Sequence, residues 1–107
     1  MFKEKVEVQA MRGGNGSCIV EKADELMMHT KMYARITILP NSSIGMHVHE
    51  NDEEMVYVIS GEGTAYINGE YIQVKSGESH YAKKGNQHSI INNGNENLVI
   101  LAVINEQ

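Results

Sequence analysis

The sequence predicts an all-β protein built as a sandwich or a barrel. Apolar and polar residues alternate with a period of two through most of the 107-residue chain, as in KVEVQ, MVYVIS and YIQVK. These runs are rich in Val, Ile and Tyr, which favour strands, and Gly, Asn and Ser separate them. Asn68-Gly69 lies between two of the runs and suits a two-residue hairpin turn with both residues at positive φ. Short strands separated by turns at regular intervals are typical of sandwiches and barrels.

In chain order, the predicted strands are KVEVQ, SCIVE, MYARITIL, MVYVIS, TAYIN, YIQVK, HSIIN and LVILAVI. The helix candidate is ADELMMH at 23–29, which is long enough for one or two turns only. Within it, Met27 and Met28 are expected to pack against other residues rather than to act in function. The single cysteine, Cys18, lies in a strand run, and we expect a small buried side chain there rather than a nucleophile.

Composition and charge limit the classes of protein to which this chain can belong. A chain of 107 residues is too short for two ordinary cores, so we expect one domain over residues 1–107. The net charge of −5 and the scattered lysines and arginines argue against nucleic-acid binding. The N-terminus MFKEKVEV is not an apolar leader, and no apolar run is long enough to cross a membrane. One cysteine allows no intrachain disulfide, so we expect a cytoplasmic protein.

Two histidines one residue apart precede four acids in GMHVHENDEEMVYVISG, residues 45–61. In a strand, His47 and His49 share one face and lie roughly 6.6 Å apart along it. Glu54 begins the next strand run, from which its carboxylate can return to the same face. Imidazole nitrogens with a carboxylate are a ligand set that first-row transition metals accept. Taken alone, the segment is a weak signal, because chance pairs of histidines are common and the nearby carboxylates are also compatible with a loop of solvated polar side chains.

A second polar segment, GESHYAKKGNQHSIIN at 77–92, strengthens the metal interpretation. Together the two segments resemble the paired motifs of the cupin superfamily. The first motif reads G, five residues, HxH, three or four residues, E, six residues, G, and its matching positions here are His47, His49, Glu54 and Gly61. The second reads G, five residues, P, x, G, two residues, H, three residues, N, and its matching positions are Gly77, Gly85, His88 and Asn92.

The resemblance covers about residues 31–104 and implies a double-stranded β-helix, or jelly-roll barrel, with residues 1–30 as an N-terminal arm. It also implies one divalent transition metal (Mn, Fe, Co, Ni, Cu or Zn) held by His47, His49, Glu54 and His88. Three neutral imidazoles and one carboxylate leave an octahedral ion two adjacent positions for water or a small oxygen-rich ligand. We also expect a homodimer, because the arm has apolar strand faces and edges that one small core cannot cover.

The chain departs from the family motifs at two positions, and two adjacent glutamates, Glu53 and Glu54, compete for the place of the carboxylate ligand. The leading glycine of the first motif is replaced by Asn41, and Gly45 stands nearer the histidines, which affects only the approach to the strand. Lys83 replaces the proline of the second motif and adds a positive charge near the mouth of the site. The motif spacing and strand parity select Glu54 over Glu53, which is expected in the turn.

Other polar residues keep more than one interpretation. Arg35 shares a strand face with Tyr33 and Thr37, and it either anchors a ligand carboxylate inside the barrel or is solvated on the surface. His80 is a fifth ligand, an acid or base, or a rim residue, and we favour the rim. We expect His80 and Lys83 to tune the site rather than to build it.

Three function classes are compatible with these residues, since a fold does not determine function. The first is a metal-dependent enzyme, such as a dioxygenase, a decarboxylase or an isomerase-like enzyme, and this class is favoured. The second is a ligand-binding or sensor domain without turnover. The third is a scaffold in which the metal only stabilises the barrel. The sequence assigns no catalytic residue beyond the four metal ligands.

Overall fold

The computed structural model describes residues 2–107, apart from the side chain of Lys3, and it confirms the predicted all-β jelly roll. Its strands are β1 Phe2–Gln9, β2 Ser17–Ala23, β3 Thr30–Ile38, β4 Ser42–Val48, β5 Asp52–Ser60, β6 Glu62–Ile67, β7 Glu70–Lys75, β8 Ser79–Ala82, β9 Gln87–Asn92 and β10 Leu98–Glu106. A short 3-10 turn covers Met11–Gly13. Within residues 2–107, no helix is long and apolar enough to cross a membrane.

The strands form two antiparallel sheets that pack face to face around one core. The large sheet has the order β1-β2-β3-β10-β5-β8, and the small sheet has the order β4-β9-β6-β7. Because side chains alternate between the faces of a strand, every second residue points inward. The inward residues Ile36, Val56, Ile90 and Ile100 are almost fully buried and form the centre of the core.

The predicted hairpin is present between β6 and β7. Ile67 pairs with Glu70, so that Asn68 and Gly69 form the two-residue turn. Both turn residues have positive φ, 45° at Asn68 and 94° at Gly69, as an Asn-Gly turn requires.

The predicted helix at 23–29 is wrong. Ala23 is the last residue of β2, and an irregular turn leads from it to Thr30 at the start of β3. Met27 and Met28 are 79% and 84% exposed, so the expectation that they pack is also wrong. A helix this short is stable only when it buries an apolar face, and this segment buries none of its large apolar side chains.

The N-terminal segment extends the large sheet through pairing of β1 with β2 and of β2 with β3. Cys18 lies on the inner face of β2 and is fully buried, as predicted. Burial raises the pKa of its thiol to about 11, so the side chain stays protonated at neutral pH and packs as a small apolar group.

Candidate metal centre

The four predicted metal ligands lie together between the two sheets. His47 on β4 and His88 on β9 are cross-strand neighbours in the small sheet, and His49 follows the end of β4. Glu54 reaches the same place from β5 in the large sheet. One donor atom from each of the four residues lies within 4.8 Å of the other three, so the group can hold a metal ion.

The spacing of the donor atoms fits ligands of a single ion. Nε2 of His88 lies 2.9 Å from Nε2 of His47, 3.0 Å from Nε2 of His49 and 2.9 Å from Oε1 of Glu54. Nε2 of His49 also lies 2.9 Å from Oε1 of Glu54, whereas the distance from Nε2 of His47 is 3.8 Å. Two donors at right angles, each ~2.1 Å from an ion, are about 3.0 Å apart.

Outer hydrogen bonds direct two imidazole lone pairs to the centre. Nδ1 of His47 lies 2.7 Å from the carbonyl oxygen of Gly45, and Nδ1 of His49 lies 2.6 Å from Oδ1 of Asp52. Both oxygens accept hydrogen bonds, so each Nδ1 carries the proton, and in the neutral ring Nε2 is left with a lone pair. Two lone pairs that converge on the Glu54 carboxylate form an arrangement that a divalent cation stabilises.

The electrostatics of the site keep the acids ionised. Burial raises the pKa of Glu54, but hydrogen bonds that the three surrounding histidines donate when they carry a proton on Nε2 outweigh it and hold that pKa far below the usual range. The hydrogen bond to Glu54 raises the pKa of His49 against the effect of burial, and the bond to Asp52 adds to the rise. Burial also raises the pKa of Asp52, but hydrogen bonds from Lys31 and His49 produce a net decrease.

A β-bulge in β4 turns His47 toward the centre. Ile44 pairs with Ile90 and His47 pairs with His88, so β4 has one residue more than β9 between these pairs. Gly45 lies in this bulge, and its backbone contacts the N-terminal segment directly. A Cβ atom on Gly45 would lie against the carbonyl oxygen of Arg12 and 2.6 Å from the backbone nitrogen of Gly14. Because glycine has no Cβ atom, the backbone at Gly45 can approach the N-terminal segment closely. The carbonyl oxygen of the same residue accepts the hydrogen bond from Nδ1 of His47.

Arg35 lies on the outer face of the large sheet, which decides between its two interpretations. Its neighbours Ala34 and Ile36 are buried and point inward, so the face that carries Arg35 points outward. Nε and Nη2 of Arg35 donate to the two carboxylate oxygens of Glu21 on β2, each at 3.0 Å. Arg35 therefore does not anchor a ligand inside the barrel.

His80 is neither a member of the four-residue cluster nor a fully exposed rim residue. It is half-buried on β8, and its Nε2 lies 3.2 Å from Nδ1 of His88. Burial, with a smaller contribution from His88, lowers the pKa of His80 to about 4, so its ring is neutral at physiological pH. Sequence reasoning missed this contact, and it also missed Asp52 as the partner of His49. The available signal for Asp52 was its position three residues after His49.

Lys83 is exposed in the turn that runs beside His49. The backbone N–H of Gly85 donates to the carbonyl oxygen of His49 at 2.6 Å, and the N–H of His49 donates to Asn86 at 3.1 Å. These two bonds attach the turn to the backbone of one of the predicted ligands. Lys83 and the equally exposed Lys84 therefore lie in a turn whose backbone is hydrogen-bonded to that of His49.

Comparisons with known proteins agree with this fold. Residues 34–104 match the family model described as "Cupin domain". The chain is 41% identical over 102 residues to the oxalate-binding protein of Thermotoga maritima, covering 91% of this chain and 83% of that protein. A crystal structure of a predicted oxalate decarboxylase from Thermotoga maritima superposes with a TM-score of 0.93 at 31% identity, covering 100% and 99% of the two chains. An uncharacterized Klebsiella pneumoniae protein with a double-stranded β-helix domain gives a TM-score of 0.75 at 28% identity, covering 86% and 79%.

Proposed function

Because this chain belongs to the cupin domain family, we propose that it binds a divalent metal and, through the metal, a small dicarboxylate such as oxalate. His47, His49, Glu54 and His88 would hold the ion. The observation that carries the proposal is the direction of the imidazole lone pairs. The outer partners of His47 and His49 accept from Nδ1, so in the neutral rings both Nε2 atoms direct a lone pair at the place where Glu54 lies.

A divalent ion with this donor set keeps one positive charge and, when six-coordinate, has two further positions for carboxylate oxygens. Mn, Fe, Co, Ni, Cu and Zn all accept imidazole and carboxylate donors. Affinity order and metal supply, rather than these four residues, select among them.

The surroundings of the centre support an anionic ligand of small size. Lys83 and Lys84 lie in the turn that is hydrogen-bonded to His49, where positive charge attracts an approaching anion. The neighbours of Glu54 on the inner face of the large sheet include the apolar Val56, Ala82 and Ile104, all almost fully buried. An apolar wall keeps water away and strengthens the attraction between the ion and a carboxylate. The 41% identical oxalate-binding protein supports oxalate as the first ligand to test.

Binding without turnover is the function that these surroundings support best. Decarboxylation would require an acid or base close to the bound dicarboxylate. Val56 and Ile104 beside Glu54 supply none, and the imidazole of His80 contacts Nδ1 of His88. The enzymatic alternative is a metal-dependent oxalate decarboxylase, and the similarity to a structure described by that predicted activity favours it.

Elemental analysis of the purified protein tests the metal site. We expect about one divalent ion per chain, and replacement of any of the four ligands by Ala should abolish or severely weaken binding. His29→Ala is the matched control, because His29 lies outside the cluster and its side chain is 71% exposed. Protein that holds no metal under metal-replete conditions, or a His88→Ala variant with unchanged metal content, would refute the assignment.

Thermal denaturation tests the ligand. Oxalate that binds the folded, metal-loaded protein should raise its Tm, with a stabilisation of about 2.7 kcal/mol at a concentration 100 times the Kd. Oxalate that only strips the ion would lower the Tm instead, and metal-free Glu54→Ala should not respond. Release of carbon dioxide from oxalate, measured with each of the six metals in turn, separates the two functions. Turnover that depends on Glu54 would support the decarboxylase, and binding without turnover would support the binding protein.

A further inference from the structure

His80 occupies a place next to the candidate metal centre that the proposed ligand set does not use. It pairs with Val56 where β8 lies beside β5, and cross-strand partners point to the same face of a sheet. Val56 is buried in the core, so the imidazole of His80 also points between the two sheets. There it meets the ring of His88 edge to face, with centroids 5.4 Å apart and an interplanar angle of 79°.

We propose that His80 is a positioning residue, whose Nε2 accepts the Nδ1–H of His88 and thereby directs Nε2 of His88 toward the metal. The inference rests on the proposed metal site. The 3.2 Å separation of the two nitrogens is within the range of an N–H hydrogen bond. His47 and His49 donate in the same way to the Gly45 carbonyl and the Asp52 carboxylate. With His80, each of the three histidines has its own outer acceptor.

The direction of this hydrogen bond determines whether His88 can bind a metal. If Nδ1 of His88 accepted a hydrogen bond from His80, the single proton of the neutral His88 ring would be on Nε2, and that atom could not coordinate an ion. When Nδ1 of His88 donates, Nε2 keeps its lone pair. His88 is completely buried, so its Nδ1–H has no access to solvent, and an unpaired buried N–H destabilises the protein. His80 therefore favours the tautomer that the metal requires.

His80 also separates His88 from a surface cavity between β7 and β8. The cavity has a volume of about 360 Å³, and Ile72, Val74 and Ser79 line it together with His80. Removal of the imidazole would extend this cavity toward the back of His88, where a water molecule could replace the lost acceptor. A test of His80 must therefore remove the acceptor without opening the cavity.

Two substitutions separate the hydrogen bond from the filling of space. His80→Leu keeps apolar volume and removes the acceptor, whereas His80→Gln retains a side-chain carbonyl that can accept from His88. Zn²⁺ and Co²⁺ affinities are measured by competition with a chelator, and the Tm of each metal-free variant is measured beside them. We expect one ion per chain in every variant, an affinity about 10- to 100-fold weaker in His80→Leu, and recovery of most of the loss in His80→Gln. His29→Leu, at the exposed histidine outside the cluster, should bind as the parent protein does.

Each other result overturns the inference in a distinguishable way. Equal affinity of the parent protein and His80→Leu would show that His88 needs no acceptor at this position. A His80→Gln variant as weak as His80→Leu would show that packing, rather than the hydrogen bond, matters. Loss of stoichiometric metal from both variants would make His80 a fifth ligand. A parent protein that binds no metal would instead refute the proposed function on which the inference rests.

Discussion

Replacement of Gly45 by Ala should both destabilise the protein and weaken metal binding. The new methyl group would press on the carbonyl oxygen of Arg12 and lie 2.6 Å from the nitrogen of Gly14 and 2.8 Å from the carbonyl carbon of Gly13. All three atoms belong to the backbone, so relief requires the N-terminal segment to move away from β4. Overpacking costs about 1–3 kcal/mol, and we expect the upper end because no flexible side chain can yield. For a domain of this size, 3 kcal/mol corresponds to a fall in Tm of roughly 12–24 °C.

The same displacement disturbs the metal centre, because the carbonyl oxygen of Gly45 accepts the hydrogen bond from Nδ1 of His47 at 2.7 Å. Loss of such an outer partner weakens metal binding by about 10-fold or more. Circular dichroism on the metal-free protein gives the Tm, and chelator competition gives the metal affinity. Gly94→Ala is the matched control, since its Cβ would meet only Oδ1 of Asn92 at an ordinary 3.5 Å. A Gly45→Ala protein that melts within about 2 °C of the parent would refute the reasoning, because overpacking by even 1 kcal/mol exceeds that shift.

Three further predictions follow from the described residues. The raised pKa of Cys18 leaves only about 0.1% of the thiol as thiolate at pH 8. A disulfide reagent should therefore label the native protein far more slowly than the guanidinium-denatured protein. Equal labelling rates would contradict the burial of Cys18. Lys83→Ala should weaken oxalate binding, most strongly at low ionic strength, without changing the metal content. An unchanged oxalate affinity would show that the charge of Lys83 does not attract the anion. Light scattering should give a mass of twice the 11.9 kDa of one chain. Tyr57, Tyr33 and Met55 are exposed together on the outer face of the large sheet, so a charge introduced by Tyr57→Glu should give a monomer. A monomeric parent protein at micromolar concentration would contradict the homodimer.

The strands could be predicted from the sequence because they depend on local geometry, and the four clustered residues because strand alternation was combined with a resemblance to the cupin motifs. Side chains alternate along a strand, so the period of two identifies strands without any knowledge of their partners. The same alternation places His47 and Glu54 on inner faces. The motif spacing adds His88, which the structure places 2.9 Å from His47. The hairpin at Asn68-Gly69 is local in the same sense, because the conformations of two residues determine it.

The failed helix at 23–29 shows the limit of local preference. Acidic residues near its start and methionines within it satisfy the local rules for a helix, but a helix of one or two turns is stable only when tertiary packing covers one of its faces. Leu26, Met27 and Met28 are all exposed in the folded chain, so this stabilisation is missing.

Only the tertiary structure decided which face of each strand points inward and which distant side chains meet. Parity divides β3 into two faces, but pairing with β2 and β10 and packing of the small sheet place Arg35 outside. His80 and His88 belong to different sheets, so their contact depends on how the sheets face each other. The approach of Gly14 to Gly45 is a contact between backbones, and it leaves no trace in a pattern of side chains. In each case the deciding interaction joins segments far apart in the chain, and its energy depends on the position of both partners.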